Sequence, residues 1–145
     1  MTTNSTVSQR VEFSCSYLVK NTGKYGYTLQ GCRYLVEATV KNSINEDSPV
    51  VIEFKQLKAH LSAAVPDNAF LFYHGDSLAQ HIAAELDPLG VSVKAYSTTV
   101  SAEIICETIA MRLQSLLDTY DPGVLVVEVK LRENSDSFAT YRPSV

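Results

Sequence analysis

Hydrophobic and polar positions alternate from Val11 to Val19. Val11, Phe13, Cys15, Tyr17 and Val19 share one face, and Glu12, Ser14 and Ser16 share the other. A period of two predicts a half-buried strand. A polar, glycine-containing stretch from Lys20 to Gln30 follows, and alternation resumes with Tyr34, Val36, Ala38 and Val40 against Leu35, Glu37, Thr39 and Lys41. The simplest arrangement of two neighbouring strands joined by a polar loop is an antiparallel pair. Asn45-Glu46-Asp47-Ser48-Pro49 breaks the chain. The spacing then turns helical: Phe54, Leu57, Leu61 and Val65 form one stripe, with Lys55 and Lys58 off it and Pro66 closing the helix. Asp76 or Ser77 caps a second helix reaching Glu85, with Leu78, Ile82 and Leu86 inward, and Pro88 and Gly90 end it. A short strand is expected over Val91–Tyr96. Ser101 caps a longer helix whose stripe is Ile105, Ile109, Leu113, Leu116 and Leu117, and Asp121-Pro122-Gly123 is a turn. The clearest strand places Leu125, Val127, Val129 and Leu131 on one face and Glu128, Lys130 and Arg132 on the other, with an edge strand around Phe138–Tyr141 pairing back. The order is strand pair, helices, strand pair. It predicts an α+β fold: a four-stranded antiparallel sheet with helices on one face.

Composition narrows the function classes. The 145 residues suit one domain, with residues 1–9 extended or disordered ahead of it. Apolar residues make up 46% and charged residues 19%, an ordinary globular balance. Sixteen acids against twelve bases leave a net charge of −4, so no basic surplus exists to neutralise phosphates and nucleic acid is not an expected partner. No apolar run approaches the roughly 20 residues of a membrane-spanning helix, and the start shows no secretory signal. The three cysteines, Cys15, Cys32 and Cys106, are too few and too odd in number for a disulfide scaffold. Asn4-Ser5-Thr6 matches a glycosylation acceptor only by chance in such a chain. The expectation is a cytoplasmic domain with free thiols.

Phase singles out one carboxylate. Glu133 continues the odd-numbered series Leu125, Val127, Val129, Leu131 and so points toward the apolar face at the strand's end. Burying a carboxylate is costly unless donors meet it. Two readings stand: the strand has already ended and Glu133 is solvated, or Glu133 is the floor of a pocket awaiting a ligand with paired N–H donors. Tyr17 is in phase with Phe13 and Cys15. Gln30 and Cys32 are in phase with Tyr34 and Val36 if that strand begins early, and a buried free Cys32 also serves as plain packing.

The ordered motifs resemble the 6-pyruvoyltetrahydropterin synthase and 6-carboxytetrahydropterin synthase family. They are Phe13-Ser14-Cys15-Ser16-Tyr17, then Gly23-Lys24-Tyr25-Gly26 and Gln30-Gly31-Cys32. Glu53-Phe54-Lys55-Gln56-Leu57-Lys58, Asp67-Asn68 and Val100-Ser101-Ala102-Glu103 follow, and Glu133 with Tyr141 closes the set. The resemblance spans about residues 11 to 142. It implies the tunnelling fold, in which subunits join their sheets into a barrel and stack as a homohexamer, a dimer of trimers. It also implies that Glu133 corresponds to the residue that anchors the pterin ring.

The departures from that pattern are as informative. Where the family holds zinc with three histidines, this chain has Tyr17, Gln30 and Cys32. A neutral tyrosine and a glutamine carbonyl are poor zinc donors, and Cys32 alone holds no metal. The three histidines lie elsewhere, His60 and His81 in helices and His74 in a loop. No metal and no cofactor are therefore expected. Tyr25 stands at the family's cysteine and Asn68 at its histidine, so of the proton-moving set only Asp67 remains. The resemblance thus implies loss of the zinc-dependent lyase reaction and survival of the binding end: Glu133, Ser101 in place of a threonine, and Glu103. Ser101 and Glu103 equally suit an ordinary helix N-terminus. Two functions remain open. One is an enzyme of changed, metal-free chemistry on a pterin- or purine-like heterocycle, with Asp67 and Tyr25 as catalytic residues and Glu133, Ser101, Glu103, Tyr17, Gln30 and Cys32 binding the ligand. The other is a non-catalytic ligand-binding or assembly subunit. Four short strands cannot close a barrel within one chain, and exposed edges favour self-association.

Overall fold

The structure is a computed structural model that describes residues 2–20 and 26–144. Its elements are β1 (Thr3–Lys20), β2 (Tyr27–Ile44), α1 (Phe54–Ala64), β3 (Ala69–Tyr73), α2 (Ser77–Leu86), β4 (Ser92–Tyr96), α3 (Ala102–Tyr120), β5 (Leu125–Arg132) and β6 (Phe138–Tyr141). The α+β class holds, but the sheet has six strands and is mixed, in the order β4-β3-β1-β2-β5-β6. β1–β2, β2–β5 and β5–β6 are antiparallel; β3 joins β1, and β4 joins β3, in parallel. The four-strand expectation fails at Ala69–Tyr73. That segment is a short unbroken apolar run with Ala69, Phe70 and Leu71 buried, so it carries no alternation to mark a strand. Its parallel pairing comes from crossovers through α1 and α2 rather than from a hairpin.

The β1–β2 hairpin is twice as long as alternation alone indicates. Its register runs unbroken from Thr3↔Ile44 to Lys20↔Tyr27, and each strand has 18 residues, about 60 Å at the usual rise. Lys20 and Tyr27–Gln30, read from sequence as part of a polar loop, are thus strand, and so are Thr3–Gln9. Ladder hydrogen bonds carry polar residues there: Ser8 Oγ and Thr39 Oγ1 are 2.7 Å apart. On the outer face Arg10 pairs with Glu37 at 2.6 Å and Arg33 with Glu12 at 2.8 Å.

The core lies on the other face. Phe13, Cys15 and Tyr17 of β1 and Cys32, Tyr34, Val36, Ala38 and Val40 of β2 point inward. They meet Leu57 and Leu61 of α1 and Ile105, Ile109, Leu113 and Leu117 of α3. Three inward assignments need correction. Phe54, the first residue of α1, is 60% exposed, because Val51 and Ile52 just ahead of the helix fill the core there. In α2 the buried pair is Ala79 and Ala83 rather than Leu78, which is 39% exposed. Asp76 caps that helix through the N–H groups of Leu78 and Ala79, and two alanines on one side let it approach β3 and β4 closely. On β5 the register shifts between Thr39 and Val40: Thr39 opposes Glu128 but Val40 opposes Val126. The extra residue, Val127, forms a bulge that switches parity. Val126, Val129 and Leu131 are consequently buried, while Leu125 is 48% exposed.

Candidate functional site

Past the bulge, the inward parity of β5 runs through Val129 and Leu131 and reaches Glu133 one residue beyond the strand. Leu35↔Arg132 is the last β2–β5 pair, so one more step sets Glu133 opposite Tyr34, diagonal to Cys32. A turn holds this end. Asn134 Oδ1 accepts from the N–H groups of Asp136 and Ser137, and the Glu133 N–H donates to Ser137 O at 3.0 Å. Glu133 is exposed, as a residue just past the strand's end would be, and its Oε1 accepts from the Cys32 thiol at 3.8 Å.

Beside it stand two phenols. Tyr17 and Tyr34, each on the inward face of its strand, bring their hydroxyls to 3.0 Å. Burial pushes the Tyr17 pKa up, with further rises from Cys32, Cys15 and Glu133, while the Tyr34 contact lowers it. Tyr34 is also raised, first by burial and then by the Tyr17 bond. Both are neutral hydroxyls at pH 7. Gln30, half-buried, is the direct cross-strand partner of Tyr17, and Cys15 that of Cys32. Burial, then the neighbouring Cys32 and Asp67, hold the Cys15 thiol up at about 12.

Tyr17, Gln30, Cys32 and Glu133 therefore come together at one end of the β1–β2–β5 face. Asp67 occupies the exposed turn before β3, where its Oδ1 accepts from the Ser14 N–H at 3.0 Å. The turn continues at Asn68, which has φ 53° and donates its N–H to Ser14 O. Ser101 caps α3, its Oγ accepting from the Ile104 N–H at 3.2 Å, and Glu103 is exposed in the first helical turn. No hydrogen bond among the described residues joins Ser101, Glu103 or Asp67 to the Glu133 cluster. Tyr25 lies outside the described residues. Of the histidines, His60 pairs with Asp121 at 2.8 Å and stacks on Tyr120, and His74 follows β3 in a turn. Tyr34 and Cys15 are further neighbours of the cluster, outside the candidate residues drawn from the sequence. Their signal was present as phase: both fall on the inward faces that carry Tyr17 and Cys32.

The residues at the position where a histidine set would hold zinc do not fit that ion. Tyr17 is a buried phenol engaged with Tyr34, Gln30 offers only an amide, and Cys32 is a single sulfur. Among the described residues no group of three or more His, Cys, Asp or Glu is placed to hold a metal. What the arrangement can do is accept hydrogen bonds. The exposed Glu133 carboxylate can accept N–H donors, while the two phenols beside it are buried and bonded to each other.

Residues 6–144 match the protein family described as 6-pyruvoyl tetrahydropterin synthase. No curated protein matches the chain. Among solved structures, an uncharacterized protein from Wolinella succinogenes aligns with a TM-score of 0.74 at 15% identity, over 98% of this chain and 99% of that one. The 6-pyruvoyl tetrahydropterin synthase of Plasmodium falciparum aligns at 0.67 and 18% identity, over 98% and 99%. That of Caenorhabditis elegans aligns at 0.66 and 15% identity, over 98% and 97%. At these identities the likeness establishes a common fold. No helix among the described residues is long and apolar enough to cross a membrane.

Proposed function

The chain belongs to the 6-pyruvoyl tetrahydropterin synthase family, and from that premise we propose that it binds a pterin- or purine-like heterocycle through Glu133 without running a zinc-dependent lyase reaction. The observation that carries this reading is the combination at one strand end. The Glu133 carboxylate sits on the inward parity of β5, against Cys32, while the would-be zinc positions hold Tyr17, Gln30 and Cys32. An ionised carboxylate accepts two parallel N–H bonds, and each charge-assisted bond contributes about 1.5–3 kcal/mol. Tyr17, Gln30 and Cys32 form the floor beside the ring. Ser101 and Glu103, at the start of α3, complete the proposed binding set. Asp67 accepts one hydrogen bond at Oδ1, and its other oxygen is the proton acceptor available to any metal-free chemistry, with Tyr25 as its partner. If neither moves a proton, the protein is a ligand-binding or assembly subunit.

The long β1–β2 hairpin supports assembly. β3 pairs with β1 only across Cys15–Tyr17, leaving the Thr3–Phe13 side of β1 without a strand partner among the described residues. A sheet with open edges pairs with further copies of itself, and a homohexamer built as two trimers is the proposed form.

Isothermal titration calorimetry of the protein with pterins and guanine derivatives tests the binding claim. Heat with at least one such compound, abolished in Glu133→Ala, is the expected result. No heat with any of them, or binding undiminished in the variant, overturns it.

A further inference from the structure

Cys15 on β1 and Cys32 on β2 are direct cross-strand partners, and both side chains are buried on the same face. Hydrogen bonding fixes what kind of pair they make. The Ser14 N–H donates to Asp67 Oδ1 at 3.0 Å and Ser14 O accepts from the Asn68 N–H at 2.6 Å, so the backbone groups of Ser14 point away from β2. Successive residues of a strand turn these groups to opposite sides, which directs those of Cys15 toward Cys32. The two cysteines are thus a hydrogen-bonded antiparallel pair, with Cα atoms about 5.5 Å apart. Disulfides span Cα separations of roughly 4.4–6.8 Å, so the Cα spacing of this pair permits one. Cβ atoms of facing residues lie about 4.5–5.5 Å apart, beyond the roughly 3.8 Å of a relaxed disulfide, and a bond made here carries strain that favours its reduction.

We propose that Cys15 and Cys32 are a reversible redox pair, closing to a cross-strand disulfide by exchange with a small-molecule disulfide such as oxidised glutathione. Cys32 attacks first. It is the less buried of the two, at 9% exposure against 5%, and its thiol faces the open side at Glu133. Cys15 is the more deeply buried thiol and burial raises its pKa, so the external disulfide meets Cys32 first and Cys15 reacts only with the sulfur already beside it. The Cys32 thiol releases its proton to water, and its sulfur bonds to one sulfur of the small disulfide while the other leaves as a thiolate. Cys15 then gives up its proton and bonds to the Cys32 sulfur, expelling the second thiolate. Two protein thiols lose two electrons, the small disulfide gains them, and the two released protons go to the two small thiolates. Closure draws the Cys32 sulfur toward β1 and removes its S–H from Glu133. The inference rests on the β1–β2 register and stands whether or not a heterocycle binds.

The test treats folded, reduced protein with oxidised glutathione, quenches with acid, unfolds it, alkylates the remaining thiols and maps the peptides. The expected product is a Cys15–Cys32 linked peptide with Cys106 alkylated, since the Cys106 thiol is fully buried and donates to Val129 O at 3.0 Å. Dithiothreitol restores all three thiols. In Cys15→Ala the expected product is a stable glutathione adduct on Cys32, because nothing resolves it. Three alkylated thiols in the parent protein, a link to Cys106, or a persistent adduct on Cys32 of the parent would overturn the proposal.

Discussion

Tyr17 and Tyr34 solve a local problem of polar burial together. Each places a hydroxyl in the core, and the 3.0 Å contact gives each a partner. Tyr34→Phe leaves the Tyr17 hydroxyl buried without that partner, and an unsatisfied buried group costs about 1–3 kcal/mol. The paired substitution of Tyr17 and Tyr34 by Phe removes both polar atoms and is expected to cost less than Tyr34→Phe alone. Urea denaturation of the two variants beside the parent protein checks the order. Glu133 has no such internal solution, since its near neighbour is a weak thiol donor. Phase in the sequence brought Tyr17, Cys32 and Glu133 to one place because parity alone decides which face a strand residue joins. It could not supply the Tyr17–Tyr34 or Cys15–Cys32 contacts, which depend on the register between two strands. The sequence also left Asp67 as an isolated acid, whereas its position is set by the Ser14 amide.

Among the elements, β5 shows why alternation is legible only until a bulge intervenes. The series Leu125, Val127, Val129, Leu131 has unbroken period two, yet Val127 is the extra residue opposite β2 and Val126 takes the core position. Val126→Ala is expected to destabilise by about 1–2 kcal/mol through lost buried methyl surface and the space left behind. Leu125→Ala is expected to stay within about 0.5 kcal/mol. An uninterrupted strand would reverse that order, and equilibrium unfolding distinguishes the two. The helices were readable because caps and stripes are local: Ser101 and Asp76 cap α3 and α2 as their residue types require. β3 was not, because a five-residue apolar run identifies neither a strand nor its parallel partner.

At the scale of the whole molecule, buried thiols and a phenol keep their protons above their ordinary pKa because the core excludes water. Burial raises Cys15 from 9.0 to about 12, Cys106 to about 11 and Tyr96 to about 12. Above pH 9 the unfolded chain loses these protons while the folded chain keeps them, so stability falls as pH rises from about 9 to 12 and is unaffected by these groups below 9. The alkaline slope of the denaturation midpoint is expected to shrink in Cys106→Ala. An unchanged slope would remove that thiol from the account. Association is the other property of this scale. Sedimentation at micromolar concentration is expected to show a species well above monomer mass, because the sheet ends in open edges at β4 and β6. The overall α+β plan was visible in the order of periodicities, whereas strand count and mixed topology arise from crossovers that leave no periodic trace.

The claim on which the functional reading turns is that Glu133 receives a ligand in a site without metal. A crystal structure of the protein grown with a pterin or guanine derivative tests it most directly. The account predicts the ring's adjacent N–H donors on the Glu133 carboxylate, beside Cys32 and Tyr17. A ring seated elsewhere with Glu133 facing bulk solvent, or a metal ion held by Tyr17, Gln30 and Cys32, would contradict it.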